Sequence, residues 1–116
     1  LLGVEQVGAG HAERVEPVLA YIRNHLSEPL LTSDLARLAL MNRTTFHEVF
    51  RELTGHTPMN YLNRLRVLRA SELLEKSELA VSDIARQCGF PCRSHFHSVF
   101  RSFTGQSPNR YRLSHR

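Results

Sequence analysis

The sequence has few cysteines and no long hydrophobic run. Its two cysteines, Cys88 and Cys92, have a spacing that is tight for a disulfide, and no secreted disulfide framework surrounds them. No apolar run approaches the roughly 18 residues that a membrane-spanning helix needs, and no signal peptide is visible. These absences predict a protein of a reducing cytoplasm that does not contact a membrane.

Enzymatic motifs are also absent. There is no glycine-rich phosphate loop, paired acidic constellation or nucleophile elbow, and the histidines have no evident orienting carboxylate. The spacing of Cys88, Cys92, His95 and His97 does not match a familiar zinc finger, and Cys88 falls at an inward helical position where a small apolar residue suffices. We expect no enzyme activity, no metal site and no cofactor.

The basic residues that are present are almost all arginine. The 116 residues contain 15 Lys+Arg against 11 Asp+Glu, a net charge of +4, and Lys76 is the only lysine. Residues 1–30 contain two Arg against four Glu (−2), so the remainder carries +6. This favours a polyanionic partner, because the arginine fork donates two hydrogen bonds at once to phosphate or guanine. Charge alone fits a solvated arginine-rich surface equally well.

The second half of the sequence contains an internal repeat. Residues 33–37 (SDLAR) return as residues 82–86 (SDIAR), 49 positions later, and residues 49–55 return as 99–105, 50 positions later. The extra residue falls at the turn around Gly89. Because an insertion confined to a turn leaves the flanking helices intact, the pattern indicates two copies of one helix–turn–helix unit. On a basic chain, such a doubled unit points towards DNA.

The hydrophobic periodicity predicts an all-α protein of seven helices with no sheet. The prediction comprises two helix–turn–helix subdomains, residues 13–57 and 77–116, which a long helix over residues 58–76 joins. Residues 1–12 contain three glycines and are predicted to be a linker tail. The predicted helix starts are Glu13 (with Pro17 in the first turn), Thr32 or Ser33 as a cap, Asn42 as a cap, Pro58, Ser82 and Asp83, Arg93, and Pro108.

The third and sixth predicted helices share one amphipathic pattern on a helical wheel. Their inward positions are predicted to be Phe46, Val49, Phe50 and Leu53 in one, and Phe96, Val99, Phe100 and Phe103 in the other. Their outward positions are Thr44, His47, Glu48 and Arg51, and Ser94, His97, Ser98 and Arg101. Short polar side chains let a helix seat closely in a major groove. Either helix alone fits an ordinary amphipathic helix, but their recurrence in two matched units favours DNA recognition.

The predicted joining helix has a length that suits two DNA grooves. Its 19 residues span about 28 Å at 1.5 Å per residue, and successive major grooves on one face of DNA lie roughly 34 Å apart. A helical adaptor that binds proteins is the alternative function. It explains exposed polar faces but does not explain a charge of +6 concentrated on the repeats.

The ordered set of motifs resembles the AraC/XylS-type DNA-binding domain over about residues 14–112. The motifs that carry the resemblance include Leu35-Ala36, Phe50-Arg51, Gly55-His56-Thr57-Pro58, Ile84-Ala85, Gly89-Phe90, Ser94-His95-Phe96 and Ser107-Pro108. The resemblance implies a bacterial transcription regulator, usually an activator, with double-stranded DNA and RNA polymerase as partners. It further implies an N-terminal effector-binding or dimerisation domain, which the start at Leu1 and the glycine-containing tail lead us to expect.

The resemblance also implies which residues touch DNA. Base contacts fall on Arg43, Thr44, His47 and Glu48 of the first recognition helix and on Arg93, Ser94, His97 and Ser98 of the second. Phosphate contacts fall on Arg51 and Arg101, and on the helix starts near Thr57 and Ser107.

Three positions depart from the family pattern. Glu48 and Ser98 stand where the family often has arginine, and Cys92 stands where a capping Asp or Asn is common. Glu48 either accepts a hydrogen bond from cytosine N4 or pairs with Arg51 one turn later and touches no DNA. Cys92 should start the second recognition helix less firmly, at a cost of about 1 kcal/mol.

Overall fold

The computed structural model describes the backbone of residues 2–116 and the side chains of residues 10–116. Within residues 2–116 it contains seven α-helices and no strand, which confirms the predicted fold class. The helices are α1 (Leu2–Asn24), α2 (Thr32–Leu38), α3 (Arg43–Thr54), α4 (Pro58–Lys76), α5 (Val81–Gln87), α6 (Arg93–Thr104) and α7 (Pro108–Ser114).

The first helix is longer than predicted. It begins at Leu2 instead of Glu13, so residues 2–12 of the predicted linker tail are helical, while Leu1 lies outside the described residues. Glycine lowers helix stability by roughly 1 kcal/mol relative to alanine, but it does not block a helix that continues from a packed segment. As a consequence Pro17 lies inside the helix and not in its first turn. Since Pro17 has no N–H, the Glu13 carbonyl lacks its usual helical partner.

The chain divides into two compact units, and the division falls inside α4 and not at the two ends of that helix. The first unit consists of residues Leu1–His25 and Leu30–Leu62, and the second of residues Leu26–Pro29 and Asn63–Arg116. The short connection between α1 and α2 is therefore grouped with the second unit, which the predicted subdomain boundaries did not include.

The first unit packs α1, α2 and α3 around two phenylalanines. Phe46 and Phe50 are fully buried with ring centroids 5.4 Å apart, and Phe50 meets Tyr61 edge-on at 5.4 Å. Asn42 caps α3 as predicted, because its Oδ1 accepts a hydrogen bond from the Thr45 amide at 2.8 Å. Other buried apolar residues of this unit include Val15, Val18, Ile22, Leu35, Ala36, Ala39, Val49 and Leu62.

The second unit repeats this packing 50 residues later. Phe96 and Phe100 are fully buried with ring centroids 5.5 Å apart, and Phe100 meets Tyr111 edge-on at 5.3 Å. Residues of α4 and α5 complete this core, namely Val67, Ala70, Leu74, Val81, Ile84, Ala85 and Cys88. The sequence repeat is thus a repeat of side-chain packing as well.

The turn of each helix–turn–helix contains one left-handed residue. Leu40 adopts φ +60° in the first turn and Gly89 adopts φ +88° in the second. Each turn is closed by the same backbone hydrogen bond of 3.0 Å, from Met41 to Ala36 and from Phe90 to Ala85. The extra residue of the second copy is Pro91, which follows Phe90, so the insertion lies in the turn as the repeat predicted.

Several predicted positions behave differently in the structure. The second helix begins at Thr32 after Leu31, and the fifth begins at Val81 after Ala80, and neither start has a side-chain cap. Thr32 and Ser33 therefore do not cap α2, because the helix already includes them.

The last inward positions of α3 and α6 are not buried. Leu53 is 47% exposed and Phe103 is 39% exposed. A helical wheel gives the direction of a side chain but does not say whether a neighbour covers it. Both residues lie in the last turn of their helices, where cover is incomplete.

Candidate nucleic-acid interface

The outer face of α3 carries the predicted contact residues of the first unit. Arg43, Thr44, His47, Glu48 and Arg51 are all exposed. Thr44, His47, Glu48 and Arg51 lie on the side of the helix opposite Phe46 and Phe50, whose burial fixes how the helix is rotated, and Arg43 is the first residue of the helix. The face therefore offers two guanidinium groups, one hydroxyl, one imidazole and one carboxylate to solvent.

The structure bears on the two interpretations of Glu48. Among the side chains of residues 10–116, no ion pair joins Glu48 to Arg51, although the ion pairs Arg37–Asp34 and Arg86–Asp83 form at a similar helical spacing. The Glu48 carboxylate is thus exposed on the outer face of α3.

The face of α6 forms a groove that contains the predicted contact residues of the second unit. The groove has a volume of about 600 Å³, and its lining consists of two arginines, three serines and one histidine, with no acid. These are Arg93, Ser94, His97, Ser98, Arg101 and Ser107. The tertiary structure therefore brings all six predicted residues of this unit to one concave surface of positive charge.

His97 is placed differently from its counterpart His47. His47 is exposed, whereas His97 is half-buried and stands perpendicular to the Phe96 ring at a centroid distance of 6.3 Å. Its Nε2 atom is buried and has no hydrogen-bond partner among the residues that the structure describes. Because an unpaired buried polar atom is unfavourable, His97 gains from a ligand that supplies a partner in the groove.

Thr57 and Ser107 act as helix caps. The Thr57 hydroxyl accepts a hydrogen bond from the Asn60 amide at 3.2 Å, and the Ser107 hydroxyl accepts one from the Arg110 amide at 3.2 Å. Each is followed by a proline at the first helical position, which has no N–H to offer. Any phosphate contact of these residues would therefore use their backbone more readily than their hydroxyls.

A further basic residue near the groove was missed by the sequence reasoning. A second concavity of about 480 Å³ shares Arg101 and Ser107 with the groove and includes the exposed Arg110. The equivalent position in the first copy, 50 residues earlier, is Asn60. The sequence signal for this residue was an arginine two positions after the Ser107-Pro108 helix start.

The two units differ in charge. The first unit contains five arginines against six acidic residues, a formal net charge of −1, whereas the second contains nine arginines and one lysine against five acidic residues, a net charge of +5. Attraction of a polyanion should therefore come mainly from the second unit.

The two cysteines lie in different environments. Cys88 is buried in the core of the second unit, and this burial raises the pKa of its thiol to about 11 despite the nearby Arg69 and Arg66. The thiol is therefore protonated at neutral pH and is a poor metal ligand. Cys92 is exposed at the start of α6. No group of three or more potential metal ligands occurs within the described part of the chain.

Comparison with known proteins places this geometry in a family. The model of a family described as a helix-turn-helix domain matches residues 35–114. This chain belongs to the AraC/XylS-type helix-turn-helix family. The match begins inside α2 and extends to the end of α7. Within residues 2–116, no helix has the length and apolar character needed to cross a membrane.

The curated relatives are transcription activators. The HTH-type transcriptional activator RhaS of Escherichia coli O139:H28 is 37% identical over 84 residues, which cover 72% of this chain, and the RhaS of Citrobacter koseri is 36% identical over 87 residues, which cover 75%. The chain spans about 30% of the length of these relatives.

The solved structures agree with the fold. The DNA-binding domain of AdpA, described as a global transcriptional factor, was crystallised in complex with a target DNA. It is 39% identical to this chain with a TM-score of 0.83, and the match covers 86% of this chain and 90% of that one. An AraC-type regulator from Chromobacterium violaceum is 27% identical with a TM-score of 0.79, over 92% and 96% of the two chains.

Proposed function

We propose that this chain is a sequence-specific module for double-stranded DNA from a bacterial transcription activator. The observation that carries the proposal is the acid-free groove along α6, in which every predicted contact residue of the second unit meets. Family membership supports it, as does the similarity to a domain that was crystallised with its target DNA.

Different side chains serve different parts of the DNA. On α3, Arg43, Thr44, His47 and Glu48 contact base edges, and on α6, Arg93, Ser94, His97 and Ser98 do so. Arg93 suits guanine best, because a guanidinium donates to O6 and N7 together. Arg51, Arg101 and Arg110 contact phosphates, together with the backbone near Thr57 and Ser107.

The two recognition helices enter adjacent major grooves on one face of the DNA. The support for this is the continuous helix α4, whose 19 residues give about 28 Å of spacer. The halves bind unequally, because the second unit carries a net charge of +5 and the first carries −1. The second unit should therefore contribute most of the dependence of affinity on salt.

The wider biological role of the protein is inferred from its relatives. A regulator of this kind works in the bacterial cytoplasm, associates with the nucleoid when it is bound, contacts RNA polymerase and is not an enzyme. An N-terminal effector-binding or dimerisation domain would supply the remaining length of the RhaS relatives, of which this chain spans about 30%.

Selection from a randomised duplex pool tests the proposal directly. We expect a bipartite consensus whose two halves lie about one helical turn apart, and affinity that falls steeply as the salt concentration rises. Enrichment of no consensus, or of a consensus that covers a single groove, would contradict the proposal. Binding that does not change with salt would favour the protein-binding adaptor.

Arg93→Ala separates base reading from phosphate binding. The substitution should relax preference at one base pair and cost about 1–3 kcal/mol on the best site. Arg86→Ala is the matched control, because Arg86 is an exposed arginine of the same unit that pairs with Asp83 and lies outside the groove. If Arg93→Ala weakens all sequences equally, Arg93 is a phosphate contact.

A further inference from the structure

The last helix, α7, is held against the end of α4 by one arginine of the same unit. Arg112 donates from Nε to the Leu74 carbonyl at 3.1 Å and from an Nη to the Ser77 carbonyl at 3.2 Å. Carbonyls at the end of a helix have no partner within that helix, so a guanidinium beside them satisfies groups that otherwise lack one. Because hydrogen bonds from a charged donor are stronger than neutral ones, Arg112 both caps α4 and fixes α7 to it.

Tyr111 adds two contacts on the same side of α7. Its hydroxyl donates to Glu75 Oε2 at 2.7 Å, and its ring meets the Phe100 ring of α6 edge-on at 5.3 Å. Tyr111 and Arg112 are both half-buried, whereas the preceding residue, Arg110, is exposed. The position of α7 is therefore set from the side that faces α4 and α6.

The other side of α7 carries the arginine of the second concavity. Arg110 lines that concavity with Arg101 and Ser107, which also line the groove along α6. Arg110 and Arg112 are two positions apart, so they lie about 200° apart around the helix axis. Among the described residues Arg110 forms no ion pair. One guanidinium of α7 thus faces the concavity, while the other is bound to the end of α4.

We propose that Arg112 is a positioning residue for the phosphate contact of α7. Resting on the proposed function, in which Arg110 contacts a phosphate, Arg112 holds α7 so that the Arg110 guanidinium reaches the DNA backbone beside the α6 groove. Arg112 does not make this contact itself, because its donors are bound to the Leu74 and Ser77 carbonyls. Phosphate contacts fix the register of a protein on its duplex and carry no sequence information directly.

The test measures how the affinity for the best selected duplex depends on salt. Each phosphate contact contributes about one unit to the slope of log affinity against log salt. Arg110→Ala should therefore lower the slope by about one unit. Arg112→Met should do the same, weaken binding about fivefold at physiological salt and leave the consensus unchanged.

A double variant shows whether Arg112 acts through Arg110. If it does, Arg110→Ala combined with Arg112→Met should bind within about twofold of Arg112→Met alone, because the contact that the second change removes is already lost. Independent effects would instead multiply to a loss of about 25-fold. That result would overturn the proposal, as would an unchanged slope in Arg110→Ala, which would leave Arg112 no contact to position.

Arg116→Met is the matched control for charge. Arg116 lies beyond the end of α7, donates to the Ser77 carbonyl and pairs with Glu78. Its replacement removes the same charge as Arg112→Met but leaves the contacts of Arg112 and Tyr111 in place, so its slope should stay near that of wild type. If Arg116→Met loses as much slope as Arg112→Met, the effect comes from charge alone and the positioning role fails.

Two milder variants replace Arg112→Met if that variant unfolds. Arg112→Lys and Tyr111→Phe both keep the charge of the unit, and each removes part of the contact between α7 and α4. Each should lower the slope by part of a unit and should cause no further loss when it is combined with Arg110→Ala. A full wild-type slope in both would overturn the proposal.

Hydrogen exchange in the free protein separates this inference from the proposed function. Amides of α7 should exchange faster in Arg112→Met than in wild type, while amides of α6 around Phe96 should stay protected. A wild type whose affinity does not change with salt would refute the proposed function, and faster exchange confined to α7 would then still support the hold of Arg112 on that helix. A wild-type slope in a folded Arg112→Met, or unchanged exchange in α7, would overturn the positioning role.

Discussion

Cys92→Asn should stabilise the second recognition helix. In the first unit, the Asn42 side chain accepts from the Thr45 amide at 2.8 Å. In the second unit, Cys92 occupies the same position but makes no capping bond, and its Sγ lies 4.0 Å from the Ser94 hydroxyl. By the repeat of 50 residues, the amide that lacks a cap is that of His95. The substitution should give this amide a partner.

The expected gain is about 1 kcal/mol, the typical value of an N-cap side chain. Cys92 is exposed, so its replacement removes no buried apolar surface. The backbone reduces the gain somewhat, because Cys92 has φ −156° whereas Asn42 has φ −74°. In a domain of this size, 1 kcal/mol corresponds to a rise in melting temperature of about 4 °C.

Urea unfolding and amide hydrogen exchange measure this effect. Cys92→Asn should raise the urea midpoint and slow exchange at the His95 amide, and the reverse change Asn42→Cys should lower the midpoint by a similar amount and speed exchange at Thr45. If Asn42→Cys destabilises while Cys92→Asn changes neither quantity, the extended backbone after Pro91 prevents capping, and the cap reasoning fails for this unit.

Four further substitutions test the recognition faces and the first turn. Glu48→Ala should lose discrimination of about 1–3 kcal/mol at one C·G pair, because the carboxylate is exposed and forms no ion pair with Arg51 within the described residues. An equal rise in affinity for every duplex would show instead that the carboxylate only repels the DNA phosphates. Arg51→Ala and Arg101→Ala should each lower the slope of log affinity against log salt by about one unit and keep the consensus; an unchanged slope with a new base preference would reverse that assignment. Leu40→Gly should raise the free energy of unfolding by about 0.5–1 kcal/mol, because φ +60° strains a side chain that is 77% exposed; a lower urea midpoint would show that Leu40 is not strained.

Local sequence signals were enough to predict the helices and the outward faces of α3 and α6. The 3.6-residue period placed Phe46 and Phe96 inside and Thr44 and Ser94 outside, because burial of a single stripe fixes the rotation of a helix. The cap at Asn42 was readable since it depends on residues three positions apart. The repeat also located the turn insertion, because the offset between the two copies changes from 49 to 50 positions across the turn.

Other features depend on contacts between distant residues. The glycines near the N-terminus suggested a linker, yet α1 continues to Leu2, because single glycines weaken a helix without ending it. Leu53 and Phe103 have inward wheel positions but stay 47% and 39% exposed, since their neighbours cover the last turn only in part.

The hydrogen bonds of Arg66 were also hidden from the sequence. In the sequence it is one of several arginines on α4, and only the folded chain brings it to two carbonyls that lie 38 and 40 residues away. The half-burial of His97, as against the exposure of His47, has the same origin. Periodicity determines which side of a helix faces inward, whereas the neighbours that the tertiary structure supplies determine what each side chain meets there.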